Sequence, residues 1–144
     1  RGQKNGQGYY IYDPETRAAT PDPEVEQIIK AFGERQGVEQ REISDQEILE
    51  RCLYPMINEG AKILAEGIAI RGSDVDVVWI NGYGWPLDKG GVMYYADLIG
   101  ADKVLAVMKE LAAKDESIRV SPLLEELVST GGRFVEIDTG GLKV

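Results

Sequence analysis

Between Ser44 and Ile68 the sequence carries an apolar stripe that leaves little choice of architecture. Ile48, Leu49, Cys52, Leu53, Met56, Ile57, Ala61, Ile63, Leu64 and Ile68 recur at helical spacing. The band is too broad for a helix that lies on a surface, because such a helix needs only one apolar face. Other helices have to wrap around it, so this segment is predicted to be the central core helix. Ser44 and Glu47, three apart, form a capping box at its start. Pro55 inside it removes one i→i−4 hydrogen bond, which predicts a kink over residues 51–55.

Further helices follow from local signals. Asp22-Pro23 supplies an N-cap and a proline at the first helical position, and Val25, Ile28, Ile29 and Phe32 follow at i, i+3, i+4, i+7, giving a short amphipathic helix over about 23–34. Ser73 as N-cap, with Asp74 and Asp76 in the first turn, starts another that turns Val75, Val78 and Trp79 inward. Residues 81–86, Asn-Gly-Tyr-Gly-Trp-Pro, read as loop. Gly90-Gly91 opens a helix through Met93, Tyr94, Ala96 and Leu98 to Ile99. Residues 101–114 form the next, with Val104, Leu105, Met108 and Leu111 inward, and Ser121-Pro122 caps a last one that ends at Gly131-Gly132. The final dozen residues read as extended or disordered. Before all this, Tyr9-Tyr10-Ile11-Tyr12 reads as one short strand or extended arm closed by Asp13-Pro14. The fold class is therefore all-α, a helical bundle with a short extended N-terminal arm. Residues 1–40 are the arm or linker with a short strand and helix, and residues 41–144 are the helical domain.

Composition narrows the chemistry. None of the 144 residues is histidine, which removes the commonest general base, the Ser-His and Cys-His nucleophile systems and the commonest metal ligand. Sixteen Lys and Arg against 25 Asp and Glu give a net charge of −9, and an acidic surface repels nucleic-acid backbones and anionic lipid. The single cysteine, Cys52, sits in the helical stripe and reads as an inert buried thiol in a reducing compartment. No apolar run approaches the roughly 18 residues of a membrane span, and no signal-peptide pattern opens the chain. Numbering begins at Arg1 rather than Met, as in a piece of a longer polypeptide.

Few motifs carry chemistry. Gly2, Gly6 and Gly8 lack the spacing of a dinucleotide fingerprint, and Gly82-x-Gly84 runs into Pro86. Glu59 with Glu66, and Asp74 with Asp76, could pair as acid and base or hold a metal; helix-start charges and solvated faces account for Asp74 and Asp76. Glu59, amid apolar neighbours, is expected to be partly buried and paired with a neighbour or a helix end. No catalytic, metal or cofactor residue is assigned. The loop of Gly82, Tyr83, Gly84, Trp85 and Pro86, together with Tyr94 and Tyr95, is a partner-facing patch or core packing, with a small-molecule pocket as the third reading. Lys89 and Lys103 could meet the phosphates of a coenzyme A thioester; scattered lysines are ordinarily just solvated.

Taken together, Arg51-Cys52-Leu53-Tyr54-Pro55-Met56-Ile57-Asn58-Glu59-Gly60, Glu66-Gly67-Ile68-Ala69, Ser73-Asp74-Val75-Asp76 and Asn81-Gly82-Tyr83-Gly84-Trp85-Pro86 resemble the C-terminal helical domain of 3-hydroxyacyl-CoA dehydrogenases. The likeness is strongest to the second copy of that domain in multifunctional fatty-acid β-oxidation enzymes, which also carry an enoyl-CoA hydratase module. Residues 2–13 resemble the segment that leads from the first copy into the second. The resemblance implies the 6-phosphogluconate dehydrogenase C-terminal-domain-like fold. It also implies a parent enzyme that uses NAD, with a His–Glu pair on a Rossmann domain, to oxidise 3-hydroxyacyl-CoA. This chain has neither that histidine nor the glycine fingerprint, and Glu50 stands where the first copy supplies an Asn. Val92 stands where the family usually has Pro. The expectation is a non-catalytic scaffold without a cofactor of its own. It would pack on the Rossmann and first helical domains of the parent, with acyl-CoA met through the parent, in a bacterial cytoplasm. The alternative is a free-standing homodimer that binds a partner or an acyl chain.

Overall fold

The computed structural model describes residues 2–138. Two compact units divide the chain after Ile43.

The N-terminal unit is a hairpin followed by a helix. Strands β1 (Tyr10–Tyr12) and β2 (Ala19–Pro21) pair antiparallel, with Tyr10 opposite Pro21 and Tyr12 opposite Ala19. Only the first was legible as extended chain; Ala-Thr-Pro has too little β-branched or aromatic content to announce the second. Helix α1 (Pro23–Arg35) begins where the Asp-Pro pair places it. Asp22 is 4 % exposed and accepts 3.0 Å from the Glu24 N–H and 2.9 Å from Gln7 Nε2. These donors hold its carboxyl below the usual carboxylate range, the Gln7 amide most strongly. Ile28, Ile29 and Phe32 on α1 are exposed.

The second unit is helical. Helix α2 (Asp45–Ala65) runs through Pro55 as one continuous element, so the missing proline N–H interrupts its ladder without ending it. Ser44 caps it, accepting 3.2 Å from the Glu47 N–H. Around α2 pack α3 (Gly72–Gly82), α4 (Val92–Ile99), α5 (Ala101–Lys114) and α6 (Pro122–Thr130). Ile57, Ala61 and Leu64 of α2 meet Val92, Met93 and Ala96, Val104 and Met108, and Leu124 in a core from which water is excluded. Each large side chain buried there contributes roughly 1.5–3 kcal/mol.

The structure corrects several expectations. The buried part of α2 starts at Tyr54, so Ile48 and Leu49 are about half exposed and Cys52 is exposed rather than an interior thiol. Glu59 is not partly buried: its side chain is 62 % exposed and pairs with Lys62 at 3.1 Å. Helix α3 starts at Gly72, so the N-cap is Arg71, two residues before the expected Ser73. The carboxylate of Asp74 reaches back to the Arg71 N–H at 3.0 Å and to its guanidinium at 2.9 Å. A Cβ at Gly72 would stand 2.5 Å from the Phe134 carbonyl oxygen, so only glycine lets that segment come so close. Asn81 and Gly82 belong to α3, with Asn81 Nδ2 donating to the Val77 carbonyl at 2.9 Å, and the loop begins at Tyr83. Val78 is 56 % exposed, where the pattern placed it inward.

The last dozen residues are not simply extended. Phe134–Glu136 form a 3₁₀ turn whose phenylalanine is fully buried, and Asp138 bridges back to Arg71. Residues 139–144 of that expectation lie outside the described residues.

Candidate functional site

Helix α3 is apolar on more than the face its core needs. Val75 packs inward, while Val77 on the opposite side and Val78, one turn beyond Val75 at the cavity edge, are each 56 % exposed. A helix apolar on both faces is normally covered on both. The second half of α2, the turn after it and α3 enclose an open cavity of about 650 Å³ whose walls include Ile63, Ile68, Ile70, Val78, Trp79 and Tyr83. Asp74, already paired with Arg71, is the one charged residue lining it. A second cavity of about 320 Å³ shares Ile63 and Trp79 and extends the groove to Pro55, Met56 and Glu59. Continuous apolar surface of this kind marks a place of association.

An aromatic chain forms one wall. Trp79 meets Tyr83 at 4.9 Å between ring centroids and Trp85 at 6.3 Å, and Trp85 meets Tyr95 at 5.8 Å. The last two pairs are edge-on, the arrangement the ring quadrupoles favour, each adding about 0.5–1.5 kcal/mol beyond the area buried. The loop therefore does two things: Trp85 and Tyr95 pack against the core, and Tyr83 stands 71 % exposed at the groove.

Three side chains whose tertiary roles local sequence patterns did not give fix the elements behind the groove. Asp76, 7 % exposed, accepts from the Met93 N–H at 2.6 Å and from the Tyr94 N–H at 3.1 Å, capping α4 from another helix. Burial pushes its carboxyl above the ordinary value, against the pull of those two N–H groups. Asp97 accepts from the Phe134 and Val135 N–H groups at 2.8 and 3.0 Å. Asn58 donates to the Arg119 carbonyl at 2.9 Å and accepts from the Ser121 N–H at 2.8 Å, tying α2 to the start of α6. Asn58→Ala is expected to lower stability by about 2–3 kcal/mol, because it orphans a buried donor and a carbonyl together. Urea unfolding at equilibrium measures this, and a loss below about 0.5 kcal/mol would show the tie to be dispensable.

The other residues singled out from sequence lie apart. Lys89, in a 3₁₀ turn (Leu87–Lys89), faces Asp88 at 3.4 Å. Lys103 on α5 faces Glu50 at 3.9 Å, and Glu50 also accepts from Gln46 Nε2 at 2.7 Å. Burial pushes the Tyr54 phenol up, with Lys103 pulling the other way. Both lysines thus have a carboxylate beside them, and neither lines the groove. Gly82 ends α3, and Gly84 and Pro86 turn the chain after it. Tyr94, 40 % exposed, lies against Gly90.

Among the described residues the only sheet is the two-stranded antiparallel hairpin, and no parallel βαβ unit of the dinucleotide-binding kind is formed. No helix is long and apolar enough to cross a membrane among them, and no three Cys, Asp or Glu side chains are grouped to hold a metal ion.

Comparison with known proteins gives this geometry its family. Residues 48–136 match the profile of the C-terminal domain of 3-hydroxyacyl-CoA dehydrogenase. The chain is 42 % identical over 134 residues to the peroxisomal bifunctional enzymes of Danio rerio and Homo sapiens, 90 % of this chain in each case. It is 33 % identical over 135 residues to the peroxisomal fatty acid beta-oxidation multifunctional protein MFP2 of Arabidopsis thaliana. It spans about a fifth of the length of these relatives, 19 % of the fish enzyme and 18 % of the human one. Among solved structures, the (S)-3-hydroxybutyryl-CoA dehydrogenase of Ralstonia eutropha superposes with a TM-score of 0.57 at 29 % identity, over 85 % of this chain and 45 % of that one. The dehydrogenase part of multifunctional enzyme 1 from C. elegans does so with the same score and identity, over 87 % and 29 %. The helical unit built around α2, and with it this chain, belongs to the 3-hydroxyacyl-CoA dehydrogenase family as its C-terminal domain.

Proposed function

We propose that this chain serves an NAD-dependent 3-hydroxyacyl-CoA dehydrogenase of fatty-acid β-oxidation as a non-catalytic helical domain, fused in the parent polypeptide to an enoyl-CoA hydratase. The observation that supports this most directly is the apolar groove between α2 and α3, which carries no acid–base pair and exposes Ile68, Val78 and Tyr83. Its occupant is another helical domain of the same polypeptide. The relatives are roughly five times longer than this chain, so most of such an enzyme lies outside it. Packing there would hold the nucleotide-binding domain in register with the thioester cleft, while hydride transfer takes place on residues this histidine-free chain does not have. The peroxisomal names of the relatives turn the proposed compartment from a bacterial cytoplasm to a peroxisome.

Val78→Glu in the full-length enzyme is the test. The side chain is more than half exposed, so the helical unit should keep its own stability within about 0.5 kcal/mol. Burying an unpaired carboxylate at the domain contact should lower the enzyme's melting temperature and dehydrogenase turnover together. Unchanged turnover and melting would refute the groove as the contact. NADH-dependent reduction of acetoacetyl-CoA by the 144 residues alone would refute the non-catalytic assignment.

A further inference from the structure

Away from the groove, within the N-terminal unit, a cleft of about 290 Å³ lies between two turns. One wall is the 3₁₀ turn Gln3–Asn5, and the other is the hairpin loop from Asp13 to Arg17. The Tyr12 N–H donates to the Gly6 carbonyl at 2.8 Å and ties the two walls together, and the Gly2 N–H on the Gln7 carbonyl at 2.7 Å closes the first turn.

Two features set this cleft apart from a solvated loop. The first is charge. In a chain of net charge −9, Lys4 and Arg17 both line the cleft, and among the described residues neither has a carboxylate within ion-pair distance. The acid beside them, Asp13, is engaged: one of its oxygens accepts from the Glu15 N–H at 3.0 Å, the Thr16 N–H at 2.7 Å and Thr16 Oγ1 at 2.9 Å. The second is backbone strain. Arg17 has φ +62°, alone among the described non-glycine residues in the left-handed region. The loop closes with the Arg17 N–H on the Asp13 carbonyl at 3.0 Å and the Asp13 N–H on the Ala18 carbonyl at 2.9 Å. Glycine or asparagine ordinarily fills the left-handed position of such a hairpin loop at no cost. An arginine there keeps a strained backbone in exchange for a guanidinium at the cleft.

We infer that this cleft binds a phosphate group: the Arg17 guanidinium and Lys4 ammonium supply the charge, and the Gln3 and Asn5 side-chain amides supply neutral donors. The guanidinium fork matches two phosphate oxygens, the ammonium is a point charge, and charge-assisted hydrogen bonds of both kinds are the strong ones. The phosphate could be free or belong to a larger ligand such as coenzyme A.

Amide chemical shifts of the ¹⁵N-labelled chain, titrated in parallel with inorganic phosphate and with coenzyme A at low ionic strength, test this. The expected result is saturable shifts confined to residues 3–6 and 13–18, weakening as salt is added. Equal affinity for the two probes identifies free phosphate as the ligand, and tighter coenzyme A binding identifies the larger one. Lys4→Gln and Arg17→Gln should each weaken binding about tenfold. Arg17→Gly, which removes the same guanidinium and relaxes the strained residue, should weaken binding by a similar factor while leaving the melting temperature unchanged or higher. No saturable shift with either probe, or binding that survives the Lys4→Gln/Arg17→Gln double substitution, overturns the assignment.

Discussion

Gly91→Ala is expected to remove about 3–5 kcal/mol of stability, a large share of what a domain of this size has. Gly91 has φ +95° and ψ 169°, backbone that only glycine adopts without strain, and leaving it costs about 1–3 kcal/mol. A Cβ there would stand 2.3 Å from the Asp76 Cβ and 2.4 Å from its carboxyl carbon. The aspartate cannot step aside cheaply, because its oxygens hold the Met93 and Tyr94 N–H groups at the start of α4. Displacing it would strand a buried charge and two buried donors at once. Urea denaturation followed by fluorescence gives the number, and a loss under about 1 kcal/mol contradicts the geometry. A double-mutant cycle sharpens the result. Asp76→Ala should be destabilising by itself, yet Gly91→Ala should cost less on that background, since the clash is then gone.

Phe134→Ala is the second large effect, at about 3–5 kcal/mol. The ring is completely buried, and the 3₁₀ turn that carries it packs on both α3 and α4. Its carbonyl oxygen is 2.5 Å from where a Gly72 Cβ would stand, and its N–H is held by Asp97. The space left by the ring is bordered by packed helices that have little freedom to close over it. Thermal unfolding of the variant should show the loss as a lower melting temperature of the whole helical unit. A shift of less than about 3 °C would mean that the C-terminal turn is an accessory rather than a part of the core.

The helices were legible because their signals are local. Asp22-Pro23, the Ser44 and Glu47 pair, the stripe inside α2 and the inward face of α5 all lie within one or two turns of each other, and each element formed where they placed it. What escaped depends on residues far apart in sequence. Asp76 looks like a first-turn acid until α4 is brought against it, 17 residues on from Asp76 to Met93. Phe134 looks like part of a tail until Asp97, 37 residues earlier, binds its N–H. Asn58 looks like one polar residue in a helical pattern until it meets Arg119, 61 residues later. The outward turn of Val78 has the same origin: periodicity shows that α3 has two apolar faces but not which of them its own unit covers. The aromatic loop was legible as a dual feature, interface or core, and its rings divide between the two. Lys89 and Lys103 stand out in the sequence by charge alone, without a reason for charge to converge there, and each has a carboxylate for company.

Trp79 and Trp85 are the only tryptophans of the chain, and their rings lie 6.3 Å apart. At that separation their electronic transitions couple, so light absorbed by either indole is shared between them. Tyr83 and Tyr95, each in contact with an indole, are close enough to pass their excitation to the same pair. Tryptophan emission from this chain accordingly has one address, the wall of the α2–α3 groove. The tyrosines of the N-terminal hairpin, Tyr9, Tyr10 and Tyr12, have no indole within their own unit. The chain thus carries an optical reporter at red-edge excitation for the groove, without any label having to be attached.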